Sequence, residues 1–337
     1  MKLAIVGAGA IGAFLGARLS NAGHEVYLIA RGPHLRAMQT NGVKVLGPEG
    51  DFEARPVATG DYEAVGPVDF VFLTAKAHSL PQIAPRLGPI LGPGTAVVSA
   101  QNGIPWWYFQ RHGGPLEGIR LESLDPGGVI SAAIAPERVI GCIVYPSAVV
   151  LEPGVIRHIE GDRFASGELD EATSDRCKRL AGALMESGLR SPIRSRIRSD
   201  LWVKLLGNLA FNPISALTRA TLVEIVTHRD AGALARAIME EADEVARALG
   251  VEIPISIDRR MAGAEKVGRH KTSMLQDLEA GRPLELESVV GAVVELGDKL
   301  GVPMPNIKAV YACARLLVQG ASRGLRVSPA PDRCPSS

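Results

Sequence analysis

Residues Gly7-Ala8-Gly9-Ala10-Ile11-Gly12 constrain this chain more than any other stretch of it. They follow an apolar, β-rich run, KLAIVGA, and open a helical stretch that ends near Asn21. A G-x-G-x-x-G pattern is weak evidence alone and strong evidence between a predicted strand and a predicted helix. Gly7 permits the tight turn, Gly9 lets a pyrophosphate approach the backbone, and Gly12 allows close helix packing. The helix N-terminus adds free amides and a partial positive charge for that anion. The opening residues also have the charge-then-apolar look of a signal peptide, but the repeated glycines and the lack of a cleavage site fit strand–turn–helix better.

The runs EVYLIA, DFVFLTAK, TAVVSAQ and RVIGCIVYPSAVV continue a strand–helix alternation through the first half. That alternation predicts a parallel, doubly wound sheet. From about Thr173 onward the pattern turns helical, most clearly over residues 230–249, where Leu234, Ala235, Ile238, Ala242, Val245, Ala246 and Leu249 share a face and Gly250 offers a C-terminal cap. With 337 residues the chain exceeds the size at which one core stops growing, about 250–300 residues. We therefore expect an α/β fold of two domains, 1–190 and 191–321, parted in the Arg-rich segment SPIRSRIRSD, with a disordered tail over 322–337. A formal charge of +1 gives no sign of a nucleic-acid or acidic-membrane partner. Cys142, Cys177, Cys313 and Cys334 form no C-x-x-C pair, so neither a metal site nor a disulfide framework is indicated, and reduced thiols fit the cytoplasm.

The second predicted strand ends in Arg31, about 20 residues after the glycines, where a protein selecting NAD usually carries an acidic residue for the ribose 2′-hydroxyl. An arginine there favours the 2′-phosphate of NADP. Arg36 is either a second phosphate contact or a solvated loop residue. Thr74-Ala75-Lys76 and Gln101-Asn102-Gly103 each follow an apolar strand, at the edge where open α/β sheets bind ligands. Lys76 could approach phosphate or substrate, and Asn102 the nicotinamide end. Their plain alternatives are a surface lysine and a turn asparagine before glycine.

LWVKLLGNLAFNPISAL, residues 201–217, reads as a buried helix interrupted by Lys204, Asn208 and Asn212. At about 100° per residue, spacings of four and four keep these three in one stripe that drifts only about 80°. A buried lysine is a plausible general acid, since burial lowers its pKa toward neutrality. The alternative is a lysine snorkelling to solvent. In RPLELESVVGAVVELGDKLG, Pro283 suits a first helical turn, Glu285 projects from the apolar face with Val289 and Ala292, and Glu287 lines up with Gly291 and Glu295 on the polar side. Glu285 is the site candidate, with a first-turn acid favoured by the helix dipole as the alternative. Ser273 before Gln276 reads as a capping box that could also face a ligand.

The sequence resembles the ketopantoate reductase (2-dehydropantoate 2-reductase) family over nearly its whole length to about residue 320, through GAGAIG, the AR of strand two, TAK, QNG, LWVKLLGNLAFNPISAL and SMLQDLEAGRPLELE. The resemblance implies an N-terminal Rossmann domain binding NADPH, an all-helical C-terminal domain, and a small oxo-acid substrate between them. By it, Lys204 is the catalytic lysine and Glu285 the site glutamate. Asn208, Asn212 and Ser273 would contact substrate, and Arg31, Lys76 and Asn102 the cofactor. Two features depart from the family pattern. Val290 stands where the family carries asparagine, and Ile104-Pro105-Trp106-Trp107-Tyr108-Phe109 opens a longer segment that reads as an aromatic flap or as simple packing. We expect reduction of ketopantoate or a close analogue, with another 2-oxo or 3-oxo acid, or a non-catalytic NADP sensor, as alternatives. Retention of both Lys204 and Glu285 argues against the sensor. A homodimer is compatible with the sequence, which does not fix the oligomeric state.

Overall fold

The computed structural model describes residues 1–114 and 116–322. The tail expected over 322–337 lies outside them except for Ser322, the last residue of a helix. The chain divides into two compact units, Met1–Leu201 and Trp202 onward.

In the first unit, strands β1 (Lys2–Val6), β2 (Glu25–Ile29), β3 (Val43–Leu46), β4 (Phe52–Ala54), β5 (Val57–Thr59), β6 (Phe70–Leu73), β7 (Ala96–Ser99), β8 (Val139–Val144), β9 (Ser147–Glu152), β10 (Val155–Glu160) and β11 (Phe164–Glu168) form two sheets. The larger has seven strands in the order β11-β8-β7-β6-β1-β2-β5. All its neighbours are parallel except β11, which runs antiparallel to β8. β6 and β7, FVFL and AVVS, are buried at every residue, as parallel strands covered on both faces must be. The strand order reverses between β1 and β6, so the crevice at their carboxyl ends is the expected ligand edge.

The smaller sheet, β4-β3-β10-β9, was not legible in the sequence. RVIGCIVYPSAVV, expected to be one strand, is two. Pro146 has no N–H for the ladder, so β8 stops at Val144 and β9 starts at Ser147 in the other sheet.

The Arg-rich segment near residue 190, expected to be a linker, instead extends the large sheet. Phe164 N–H donates to Arg190 O at 2.8 Å, Ser166 N–H to Pro192 O at 3.1 Å and Arg194 N–H to Ser166 O at 2.7 Å. An extended segment beside the open edge of β11 satisfies backbone groups that would otherwise be unpaired. The division between the units accordingly falls later, between Leu201 and Trp202.

Helices α1 (Ala10–Asn21), α2 (Gly32–Asn41), α3 (Leu80–Ile83), α4 (Val129–Ala133) and α5 (Asp175–Glu186) accompany the strands, and α6 (Ile197–Thr218) leads into the second unit. There follow α7 (Leu222–Thr227), α8 (Arg229–Ala248), α9 (Ile257–Val267), α10 (Ser273–Glu279), α11 (Ala292–Leu300) and α12 (Pro305–Ser322). α8 buries Ala235, Ile238, Ala242, Val245 and Ala246 as the periodicity predicts. Its end is a Schellman motif: Gly250, at φ +73°, donates to Arg247 O at 2.9 Å, and Val251 N–H donates to Ala246 O at 2.9 Å. Glu241, on the inner face of α8, is buried because it caps α12, accepting from Asn306 N–H at 2.9 Å and Ile307 N–H at 2.8 Å. A carboxylate there meets orphan amides and the positive end of the helix dipole.

Candidate active site

The glycine turn is shaped by contacts that admit no side chain. Gly7 sits at φ +100°, and a Cβ on it would stand 2.6 Å from Ala75 Cα. A Cβ on Gly12 would stand 2.5 Å from Gly7 O and 2.6 Å from Thr74 Oγ1. Gly9 differs: only Gly7 O comes within reach, at 4.0 Å, so its backbone faces open space. The amides of Gly7 and Ala8 both donate to Ile29 O at 3.1 Å, pinning the turn to the end of β2. α1 then starts at Ala10 with Gly9 as an N-cap that offers no side-chain acceptor. Closed at Gly7 and Gly12, open at Gly9 and backed by uncapped amides, this cradle fits the diphosphate of a dinucleotide.

The neighbouring loops are tied to that cradle. Thr74 Oγ1 donates to Gly7 O at 2.9 Å. Gln101 joins the ends of β6 and β7, its amide donating to Leu73 O at 2.7 Å and Ala75 O at 3.2 Å and its carbonyl accepting from Ser99 Oγ at 2.7 Å. Lys76 and Asn102, both half-buried, follow these anchors, and Gly103 at φ +85° turns the chain away. Sequence analysis took Gln101 only as part of QNG, and its bracing role becomes visible only in the pairing of β6 with β7. Arg31 is exposed and serves as the N-cap position of α2, again without a side-chain cap bond. His34, in the first turn of α2, accepts from Gly154 N–H at 3.0 Å, and burial holds its pKa below the ordinary imidazole value.

The aromatic flap is not a flap. Trp106, Trp107, Tyr108 and Phe109 are between 1% and 5% exposed. Trp107 reaches Gly141 on β8, where a Cβ would stand 2.9 Å from its Cζ2. Arg198, in the first turn of α6, is buried beside them. Its guanidinium donates to Tyr108 O at 2.9 Å, Leu169 O at 2.6 Å and Gln110 O at 2.9 Å, and burial lowers its pKa. Hydrogen bonds from a charged donor are worth about 1.5–3 kcal/mol each, enough to hold this segment as core. With Trp202 also buried, native tryptophan emission should resist acrylamide, and a substrate analogue should leave that resistance unchanged. Ready quenching in the folded protein would show a mobile segment after all.

The second unit carries the remaining candidates. Lys204 and Asn208 are half-buried and Asn212 is buried, on an α6 that runs unbroken through Pro213. Gly207, between them, is the seat of a side chain that sequence analysis did not single out. A Cβ there would stand 2.6 Å from Arg260 Cζ and 2.7 Å from its Nε, so the guanidinium of Arg260, on α9, lies against the Gly207 backbone.

Two local expectations need correction. α10 is capped by Thr272, whose hydroxyl accepts from Leu275 N–H at 3.2 Å, and Ser273 is its exposed first residue. Gln276 donates to Lys271 O, so there is no capping box at Ser273. Pro283 is not in a helix. Leu286 begins it, Glu287–Gly291 form a π-turn, and α11 follows. Glu285 therefore precedes the helix, its carbonyl accepting from Val289 N–H at 3.2 Å. It is half-buried, whereas Glu287 is exposed, lies over Gly291 and accepts from Tyr311 O–H at 2.6 Å.

Two family profiles match: "Ketopantoate reductase PanE/ApbA" over residues 3–112 and "Ketopantoate reductase PanE/ApbA C terminal" over residues 196–318. The chain belongs to the ketopantoate reductase family. It is thus an oxidoreductase acting on CH–OH groups, in a family that uses a pyridine nucleotide. A 2-dehydropantoate 2-reductase of Mesorhizobium japonicum is 51% identical over 319 residues, covering 94% of this chain and 98% of its own length. A crystal structure from Ralstonia solanacearum, provisionally assigned as a ketopantoate reductase, is 39% identical with TM-score 0.91 and covers 95% of this chain and 98% of its own. D-mandelate dehydrogenase, solved with NADH and anilino(oxo)acetate, is 22% identical with TM-score 0.82, covering 96% of this chain and 100% of its own, and speaks for the fold alone.

Proposed function

We propose that this ketopantoate reductase family member reduces a small 2-oxo acid, ketopantoate before others, to the 2-hydroxy acid with NADPH. The observation that carries the reading is the polar stripe of Lys204, Asn208 and Asn212 on a helix whose other residues are mostly buried. The extent of similarity to a named 2-dehydropantoate 2-reductase supports it. Reduced nicotinamide, when bound, supplies the hydride. Lys204 gives a proton to the carbonyl oxygen as charge develops there, Asn208 and Asn212 orient the polar groups of the substrate, and Glu285 accepts from a substrate hydroxyl. Ser273, exposed at the start of α10, contacts the substrate. The first compact unit, Met1–Leu201, serves as the nucleotide domain and the second, from Trp202, as the substrate domain. A cytoplasmic homodimer completes the proposal, and among the described residues no helix is long and apolar enough to cross a membrane. Steady-state NADPH oxidation across a panel of oxo acids tests it, and a protein that turns over no 2-oxo acid would refute it.

The preference for NADPH rests on Arg31. Its exposed guanidinium stands at the start of α2, where free amides and the helix dipole also favour an anion. Arg31→Glu should weaken NADPH far more than NADH, because a carboxylate repels the 2′-phosphate and leaves the rest of the dinucleotide site intact. Equal losses for both cofactors would assign Arg31 another role.

A further inference from the structure

We propose that Gln101 is a positioning residue for the dinucleotide: its side chain holds the loop after β6 against the glycine turn and so sets the shape of the phosphate cradle. The inference rests on the pyridine-nucleotide site argued above. Strands β1, β6 and β7 are neighbours in the sheet, and beyond their carboxyl ends the chain must part into separate loops. Backbone pairing between β6 and β7 stops at Leu73 opposite Ser99, and one further bond, Ala100 N–H to Leu73 O at 3.1 Å, follows it. Beyond that point the Gln101 side chain spans the gap, donating to Leu73 O at 2.7 Å and to Ala75 O at 3.2 Å.

A carboxamide is matched to this place. It carries two N–H donors and so can meet two carbonyls at once. Its direction is set from the other end, where the buried Ser99 hydroxyl donates to Oε1 at 2.7 Å. A glutamate of the same length would set a carboxylate oxygen against the two carbonyls.

What the brace holds is Ala75. Its amide donates to Val6 O at 3.1 Å and its carbonyl accepts from Gln101. Its Cα and Cβ stand 2.6 Å and 2.7 Å from where a Cβ on Gly7 would be. Thr74 beside it donates from Oγ1 to Gly7 O at 2.9 Å, and that same Oγ1 lies 2.6 Å from the place of a Cβ on Gly12. Thr74 and Ala75 are therefore the wall that closes the turn at both glycines, and Gln101 ties that wall to β7. Without the tie the free loop can relax away from the turn. Binding must then restore its order, and that cost appears as weaker affinity.

Gln101→Met nearly keeps the length of the side chain and removes both donors. Calorimetric titration with NADPH and with NADH, taking whichever the parent binds more tightly, should show a Kd raised about 10-fold, the size of one or two lost neutral hydrogen bonds. At saturating cofactor kcat should fall far less, since Lys204 lies in the second unit. Gln101→Glu should weaken the dinucleotide further. Ser99→Ala should raise Kd by a smaller factor, and its combination with Gln101→Met should bind no worse than Gln101→Met alone, because Ser99 acts through the carboxamide. A merely structural role would lower the urea midpoint and leave Kd where it is. An unchanged Kd in Gln101→Met would overturn the proposal, as would losses that add in the double variant. Should both Gln101 variants fail to fold, Ser99→Ala carries the test, with an unchanged Kd again overturning it. A protein that binds the dinucleotide but reduces no 2-oxo acid fails the proposed function alone, and the Kd comparison still reads Gln101. One that binds neither dinucleotide overturns both.

Discussion

Lys204→Ala should lower kcat by about 10²–10⁴, the usual contribution of a positioned general acid, while leaving NADPH affinity nearly intact. The separation follows from where the groups lie. The glycine cradle, Arg31, Lys76 and Asn102 belong to the first compact unit, and Lys204 lies in the second, on a stretch of α6 where Leu205, Leu206, Leu209 and Phe211 are buried. Replacing one half-buried side chain on that helix leaves the apolar contacts in place, so the loss should appear in turnover rather than in cofactor binding or folding. Parallel falls in kcat and kcat/KM would mark an interaction made only in the transition state. The measurement is steady-state turnover together with an NADPH titration of the same preparation. Unchanged turnover would remove Lys204 from the mechanism.

What could be read from the sequence was what depends on neighbouring residues alone. The positive φ of Gly7 and the approach of Gly12 to Gly7 O are local to a turn and a helix a few residues long, so the motif carried them, while the contacts with Ala75 and Thr74 add a demand from another strand. The stripe on α6 follows from helical periodicity, which Pro213 does not interrupt. Arg260 could not be found this way, because its place depends on which residue α9 brings to Gly207. The one hint was Gly207 itself, an unneeded glycine in a helix unless something approaches closely. The aromatic run misled for a related reason. Its position after Asn102 suggests a mobile cover, and only the buried Arg198, distant in sequence, shows that it is held as core. Thr272 and Ser273 are both good caps, so the pattern of letters could not choose between them. The small sheet escaped because its strands leave many residues exposed and are separated by turns rich in Gly and Pro. The π-turn at Glu287–Gly291 escaped because Val289, Val290, Gly291, Ala292 and Val293 are all small or apolar and all buried, so a change of phase within the run does not show in the pattern.

That π-turn bears on the second large effect expected. Glu285 sits two residues before it, with its carbonyl held by Val289 N–H and its side chain half-buried, so the carboxylate projects from a fixed piece of backbone. π-turns recur at functional sites, and a carboxylate placed this way can accept only from a donor that arrives in the right place. Ketopantoate carries such a donor, its terminal hydroxyl. 3,3-Dimethyl-2-oxobutanoate differs from it only in lacking that hydroxyl. A site built to hydrogen-bond a hydroxyl can reject the analogue without it by about 10⁴. The parent protein should therefore prefer ketopantoate by a ratio of that order in kcat/KM. Glu285→Ala should collapse the ratio by losing activity on ketopantoate while keeping activity on the analogue, which has no hydroxyl for the carboxylate to accept. A parent ratio near one would give Glu285 a structural role and direct the search toward a 2-oxo acid without the hydroxyl. A high ratio that survives Glu285→Ala would instead move hydroxyl recognition to Asn208 or Asn212.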